Sequence, residues 1–84
     1  MEVIWTPKAL KQLMKLKDRK TQQRILLAAR ALADFPEVSG VKALHNHQYD
    51  YRLRVGDYRV WFNALPTAGL INIEEVKKRD ERTY

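Results

Sequence analysis

The run Tyr51-Arg52-Leu53-Arg54-Val55-Gly56-Asp57-Tyr58-Arg59-Val60-Trp61-Phe62 constrains this chain more than any other part of it. Alternation on both sides of Gly56-Asp57 predicts two strands joined by a two-residue loop. Glycine at the first loop position suits a type II′ turn, which needs a positive φ there. Such a loop fixes the register: Val55 opposite Tyr58, Arg54 opposite Arg59, Leu53 opposite Val60, Arg52 opposite Trp61 and Tyr51 opposite Phe62. Tyr51, Leu53, Val55, Tyr58, Val60 and Phe62 then share one apolar face, and Arg52, Arg54, Arg59 and Trp61 share the other. Like charges directly opposed across a strand pair are destabilising, so Arg54 against Arg59 is a poor device for stability. The pairing makes sense if an anion comes to lie between them.

The elements around this hairpin follow from spacing and caps. Glu2 to Trp5 reads as a short β-branched and aromatic strand. Thr6-Pro7 reads as an N-cap with proline at the first helical position, opening a helix with Leu10, Leu13 and Met14 on one face. Asp18 caps a second helix with Ile25, Leu26, Ala29, Leu32 and Ala33 at helical spacing, ended by Asp34-Phe35-Pro36. Residues 36–48 read as loop, with Val41 to Leu44 suited to a short strand or anchor. Leu65 to Gly69 is turn-rich, Leu70 to Val76 is a last strand, and Lys77 to Tyr84 is a charged segment. The expected fold is α+β in the order β-α-α-β-β-β, with both N-terminal helices on one face of a small antiparallel sheet and the other face open.

Composition narrows the class. Eighty-four residues suffice for one domain, taken as residues 1–84, and are too few for two. There is no cysteine, hence no disulfide and no thiolate metal site, and no run is long enough to span a bilayer. A soluble cytoplasmic protein with no membrane contact is the expectation. The net charge of +6 points to a polyanionic partner, nucleic acid or an acidic protein, against the plainer reading that surplus lysines keep a small domain soluble.

The order of elements, the Ile4-Trp5-Thr6-Pro7 opening, the hairpin and the ending Val76-Lys77-Lys78-Arg79-Asp80-Glu81-Arg82-Thr83-Tyr84 together resemble the RelE branch of the RelE/ParE toxin superfamily. The resemblance covers nearly the whole chain. It implies a toxin of a type II toxin–antitoxin pair, an endoribonuclease that cuts mRNA in the ribosomal A site by 2′-hydroxyl attack, inhibits translation, and is held in check by a cognate antitoxin. It implies no metal or small-molecule cofactor. Carried over position by position, the RelE site falls on Arg52 and Arg54 in place of two lysines, on Arg59, on Arg79 and on Tyr84. The lysine-to-arginine changes matter chemically, because arginine stays protonated and is a worse general base.

Cleavage at a 2′-hydroxyl needs stabilisation of a dianionic phosphorane, a proton acceptor for the nucleophile and a proton donor for the 5′-oxygen. Guanidinium groups grip phosphate oxygens bidentately, so Arg54 and Arg59 are the leading catalytic candidates. The resemblance adds Arg79 as a charge or proton donor and Tyr84 to stack on a base or orient the nucleophile. Arg52 beside Trp61 suits a flanking phosphate and a stacked base, although Trp61 also suits a plain sheet cap. Lys77, Lys78 and Arg82 add general attraction for RNA. No general base stands out: His45 and His47 have a suitable pKa but suit a solvated loop equally well, and Glu74 and Glu75 read better as salt-bridged or solvated carboxylates. Two other functions stay open on the same fold: a ParE-like inhibitor of DNA gyrase and a non-catalytic RNA-binding domain.

Overall fold

The computed structural model describes residues 1–79. Its strands are β1 (Glu2–Trp5), β2 (Val41–Ala43), β3 (Tyr51–Val55), β4 (Tyr58–Leu65) and β5 (Leu70–Lys78), and its helices are α1 (Pro7–Met14) and α2 (Arg19–Arg30), the latter followed by a 3-10 turn at Ala31–Asp34. The strands form one sheet in the order β1-β5-β4-β3-β2. The expected α+β architecture is present, with two differences: the sheet is mixed, because β1 runs parallel to β5, and it has a fifth strand, β2, beyond the order β-α-α-β-β-β. The two helices fill the crossover that such a parallel pair requires. Val41–Ala43 forms a true edge strand against β3.

The caps act as the sequence indicates. Thr6 Oγ1 accepts the Ala9 N–H at 3.2 Å and donates to the Ile73 carbonyl at 2.8 Å, so one hydroxyl opens α1 and ties it to β5. Asp18 accepts the Lys20 N–H at 3.1 Å and the Thr21 hydroxyl at 2.7 Å. Beyond Trp5 the edge of β5 has no strand beside it. There α1 takes over, and the Gln12 side-chain oxygen accepts the Val76 N–H at 2.6 Å.

The buried stripe of α1 is Ala9 and Leu13, and that of α2 with its 3-10 extension is Ile25, Ala29 and Leu32. The apolar face read from Leu10, Leu13 and Met14 was too wide. Leu10 and Met14 are exposed, as are Leu26 and Leu27, because each helix meets the sheet along a narrow contact. Beneath them lie Leu53, Val55, Val60, Phe62, Ile71, Ile73 and Val76. Phe35 packs edge-on against Tyr51 and Phe62, closing the core where the helices end. No helix among the described residues is long and apolar enough to cross a membrane.

Candidate functional site

Gly56 has φ +58° while Asp57 stays at negative φ, the signature of a type II′ turn. All five β3–β4 pairs fall in the expected register, Arg54 opposite Arg59 among them. Strand β5 extends the same rows: Arg59 lies opposite Lys77, and Trp61 lies opposite Glu75. The open face therefore carries a row Arg54–Arg59–Lys77 beside a row Lys42–Arg52–Trp61–Glu75.

A bulge makes the second row possible. Trp61 pairs with Glu75 but Phe62 pairs with Ile73, leaving Glu74 as the extra residue in β5. Without it, strict alternation would carry Glu75 and Lys77 to the core side with Ile71 and Ile73. With it, Val76 enters the core and both charges face outward.

Arg79 reaches the hairpin through its backbone, donating its N–H to the Asp57 carbonyl at 2.6 Å. Arg52, Arg54, Arg59 and Arg79, with Gly56 and Tyr58, line a cleft of about 60 Å³. Among the described residues no acidic side chain lines it. The Arg52 Nε is buried without a hydrogen-bond partner among the described residues. Burial first, and then the charges of Arg59, Arg54 and Arg79, push the Arg52 guanidinium below its ordinary pKa, although arginine remains charged at any pH the fold survives. A desolvated cation with an unmet donor, surrounded by like charges, is a site prepared for an anion. The cleft is far below the roughly 300–1,000 Å³ of small-molecule pockets, so it fits an anionic group and not a whole nucleoside.

Beside the cleft lies a different arrangement. Glu75 is buried and bonds the Tyr49 hydroxyl and Lys77, whose Nζ is at 3.1 Å, with Lys8 Nζ at 3.6 Å. Burial acts to raise the Glu75 pKa, but the bonds from Tyr49 and Lys77 and the lysine charges outweigh it, leaving the carboxyl below its usual range. Burial, reinforced by Glu75, pushes the Tyr49 hydroxyl up. A carboxylate held down in this way is a poor proton acceptor, and the salt-bridged reading of Glu75 holds. Glu74 accepts a bond from the Asn63 amide at 3.3 Å.

The His47 ring lies parallel to Trp61, 9° between planes and 6.2 Å between centroids. Its Nδ1 accepts the Tyr49 N–H at 3.0 Å, which ties the ring to the start of the hairpin. Among the described residues no group of His, Asp and Glu is placed to hold a metal ion.

Of the expected site residues, the structure brings Arg52, Arg54, Arg59 and Arg79 into one cleft. Trp61 sits beside it, across from Arg52, with His47 against its ring. Lys77 is engaged by Glu75, and neither Lys77 nor Lys78 lines the cleft. Tyr84 and Arg82 lie outside the described residues. Sequence reasoning missed Tyr49, whose only signal was an aromatic just ahead of the hairpin, and Arg24, which reaches the hairpin turn from α2.

The model of the family described as ParE toxin of type II toxin–antitoxin system, parDE, matches residues 3–83 of this sequence. The chain belongs to the ParE toxin family. Solved structures extend the likeness across the RelE/ParE superfamily. The toxin of the RelE–RelB complex from Pyrococcus horikoshii is 28% identical, with TM-score 0.78 over 95% of this chain and 96% of that one. A RelBE toxin–antitoxin complex from Mycobacterium tuberculosis gives 22% identity and TM-score 0.79 over 93% and 96%. The isolated RelE toxin of Escherichia coli gives 14% and 0.79 over 98% and 87%, a likeness of fold alone. No curated protein matches the chain. This ParE-family chain is thus a type II toxin on the RelE/ParE fold, and its class implies an antitoxin as partner.

Proposed function

We propose that this toxin, as a single domain in the cytoplasm, inhibits translation by cutting mRNA at the ribosome, with the arginine cleft holding the scissile phosphate. The observation that carries the reading is the convergence of Arg52, Arg54, Arg59 and Arg79 on one small cleft, with no acidic lining residue among the described residues. Arg54 and Arg59 grip the non-bridging oxygens, and their charge rises in value as the phosphorane becomes dianionic. Arg52 holds a flanking phosphate while Trp61 offers an aromatic surface to a base. The 2′-oxygen attacks phosphorus, the bond to the 5′-oxygen breaks, and a 2′,3′-cyclic phosphate and a 5′-hydroxyl result. The nucleophile's proton passes to solvent, favoured by four neighbouring cations that stabilise the alkoxide. Arg79 stands as proton donor or charge partner to the leaving oxygen, and Tyr84 orients the nucleophile. Lys77, Lys78 and Arg82 supply general attraction.

An antitoxin finds its own footing on the opposite side, where Leu10, Met14, Leu26 and Leu27 are exposed among lysines and arginines, a surface suited to an acidic amphipathic segment. Arg59→Ala and Arg79→Ala, each with unchanged far-UV circular dichroism, are expected to relieve growth arrest and abolish mRNA cleavage. Normal cleavage by both overturns the site assignment. A second reading, inhibition of DNA gyrase, is favoured by the ParE family match itself. Gyrase-dependent DNA breaks with intact mRNA decide for it.

A further inference from the structure

The cleft is not the only concavity at the hairpin. Arg54 and Gly56 belong to its lining and also to that of a wider groove of about 340 Å³ on the helix side, bounded by Arg24, Ala28, Ser39 and Gly40. The two hollows meet the end of the hairpin at these two shared residues. Where the cleft is too small for a nucleoside, the groove falls in the roughly 300–1,000 Å³ range of ligand sites.

Arg24 makes the groove chemically specific. Its guanidinium lies directly over the turn: a Cβ built on Gly56 would stand 2.9 Å from Nη1 and 3.2 Å from Cζ. Only glycine lets the guanidinium come this close, so the residue that shapes the turn also seats this cation. The ion pairs among the described residues are Lys8–Glu75 and Lys77–Glu75, and neither engages Arg24. An exposed arginine lying over the turn, with no acidic partner among the described residues, is disposed toward an external anion. Ala28 and the edges of Leu53 and Val55 give the groove an apolar floor on which a planar base can rest.

We propose that Arg24 and this groove form a second nucleotide subsite, so that single-stranded RNA leaving the arginine cleft passes over the β3–β4 turn, phosphate on Arg24, and lays its next nucleoside between α2 and β3. The inference rests on the RNA reading of the cleft. It assigns to α2 a residue that binds substrate without touching the scissile phosphate.

The test is binding of labelled, 2′-O-methylated RNA, which cannot be cut, in two lengths: a dinucleotide that spans the cleft alone and a strand of about a dozen nucleotides, in the range of single-strand binding sites. Arg24→Gln is expected to weaken the long strand roughly fivefold and to lower its log–log salt slope by about 0.7, the value of one single-strand phosphate. The dinucleotide should lose less than twofold. Arg30→Gln, which removes one charge from the same helix at a site away from the groove, is expected to change neither. Arg59→Gln should weaken both lengths. Equal losses from Arg24→Gln and Arg30→Gln, or an Arg24→Gln protein that binds the long strand normally, overturn the second subsite while Arg59→Gln still supports the cleft. Normal binding of both lengths by Arg59→Gln overturns the RNA reading itself. Should Arg24→Gln retain the long RNA but release an amphipathic glutamate–leucine peptide that the unaltered chain binds, the groove is a protein-docking surface and the proposal falls.

Discussion

Neutralising one arginine of the cleft should make this protein more stable as it makes it less active. Arg59 is the sharpest choice, since it faces Arg54 across one strand pair, Lys77 across the other, and shares the cleft with Arg52 and Arg79. Directly opposed Cβ atoms lie about 5 Å apart. Unit charges about 6 Å apart repel by roughly 0.7 kcal/mol in water and 2.8 kcal/mol at the effective dielectric of a protein surface. Arg59 is half-exposed, and measured pairs of this kind are worth about 0.2–1 kcal/mol, so the lower end applies. Three arginine neighbours and a lysine already engaged by Glu75, less some packing lost with the arginine stem, leave a net gain of about 1 kcal/mol for Arg59→Gln. In a domain of this size that raises Tm by about 4–8 °C. Calorimetry or circular-dichroism melts at low salt measure it. Near 1 M salt, where screening acts within about 3 Å, the difference should largely disappear. Sulfate at fixed ionic strength should stabilise the unaltered protein more than the variant, because the cleft that binds it has lost a donor. An Arg59→Gln protein that melts lower at low salt, or whose advantage is insensitive to salt, refutes the view that the cleft is a set of uncompensated charges.

Three further predictions concern the scaffold. Thr6→Ala removes both the cap of α1 and its bond to Ile73, and is expected to cost about 1–2 kcal/mol in urea titrations, with Thr6→Ser recovering most of it. Gln12→Ala leaves the Val76 N–H unpaired at a buried position, an expected loss of about 1–3 kcal/mol accompanied by faster hydrogen exchange at Val76. Glu75 has a folded pKa below its unfolded value, so its contribution is complete above about pH 4.3 and is lost as pH falls through the lower folded value. Glu75→Gln should therefore be less stable near neutrality and should show a flatter loss of stability below about pH 4.3, whereas an unchanged acid limb argues against the Tyr49–Glu75–Lys77 network.

The hairpin was legible in full because a two-residue loop leaves no freedom of register, so the facing of Arg54 and Arg59 follows from Gly56-Asp57 alone. The capped starts of both helices were legible for a similar reason: Thr6-Pro7 and Asp18 act on their own local backbone. What the sequence hid was non-local. The parallel pairing of β1 with β5 joins residues nearly seventy positions apart, and nothing in Glu2–Trp5 names its partner. Helix faces were over-read because Leu10 and Met14 satisfy the period whether or not a neighbour reaches them. One missed signal was present. The apolar spacing in β5 changes from two residues, Ile71 to Ile73, to three, Ile73 to Val76, which is the mark of the bulge that turns Glu75 and Lys77 outward. Arg24 carried no such mark, since its role depends on how α2 crosses the turn at Gly56.

The cleft persists against its own repulsion because the same strands that present the arginines bury an apolar residue beside each of them. Arg52, Arg54 and Arg59 alternate with Leu53, Val55 and Val60, all three in the core. Burying a side chain of that size contributes about 1.5–3 kcal/mol, against the roughly 1 kcal/mol that one unneutralised arginine costs here. The inward face therefore wins at every step along the hairpin. The cations are held by strand register and by the Arg79-to-Asp57 backbone bond, and among the described residues no acidic side chain lines the cleft for an incoming phosphate to displace. Loss of packing beneath the hairpin should accordingly damage the cleft even with every arginine in place, since the turn sets the register but the buried face supplies the energy that holds the repelling guanidiniums together.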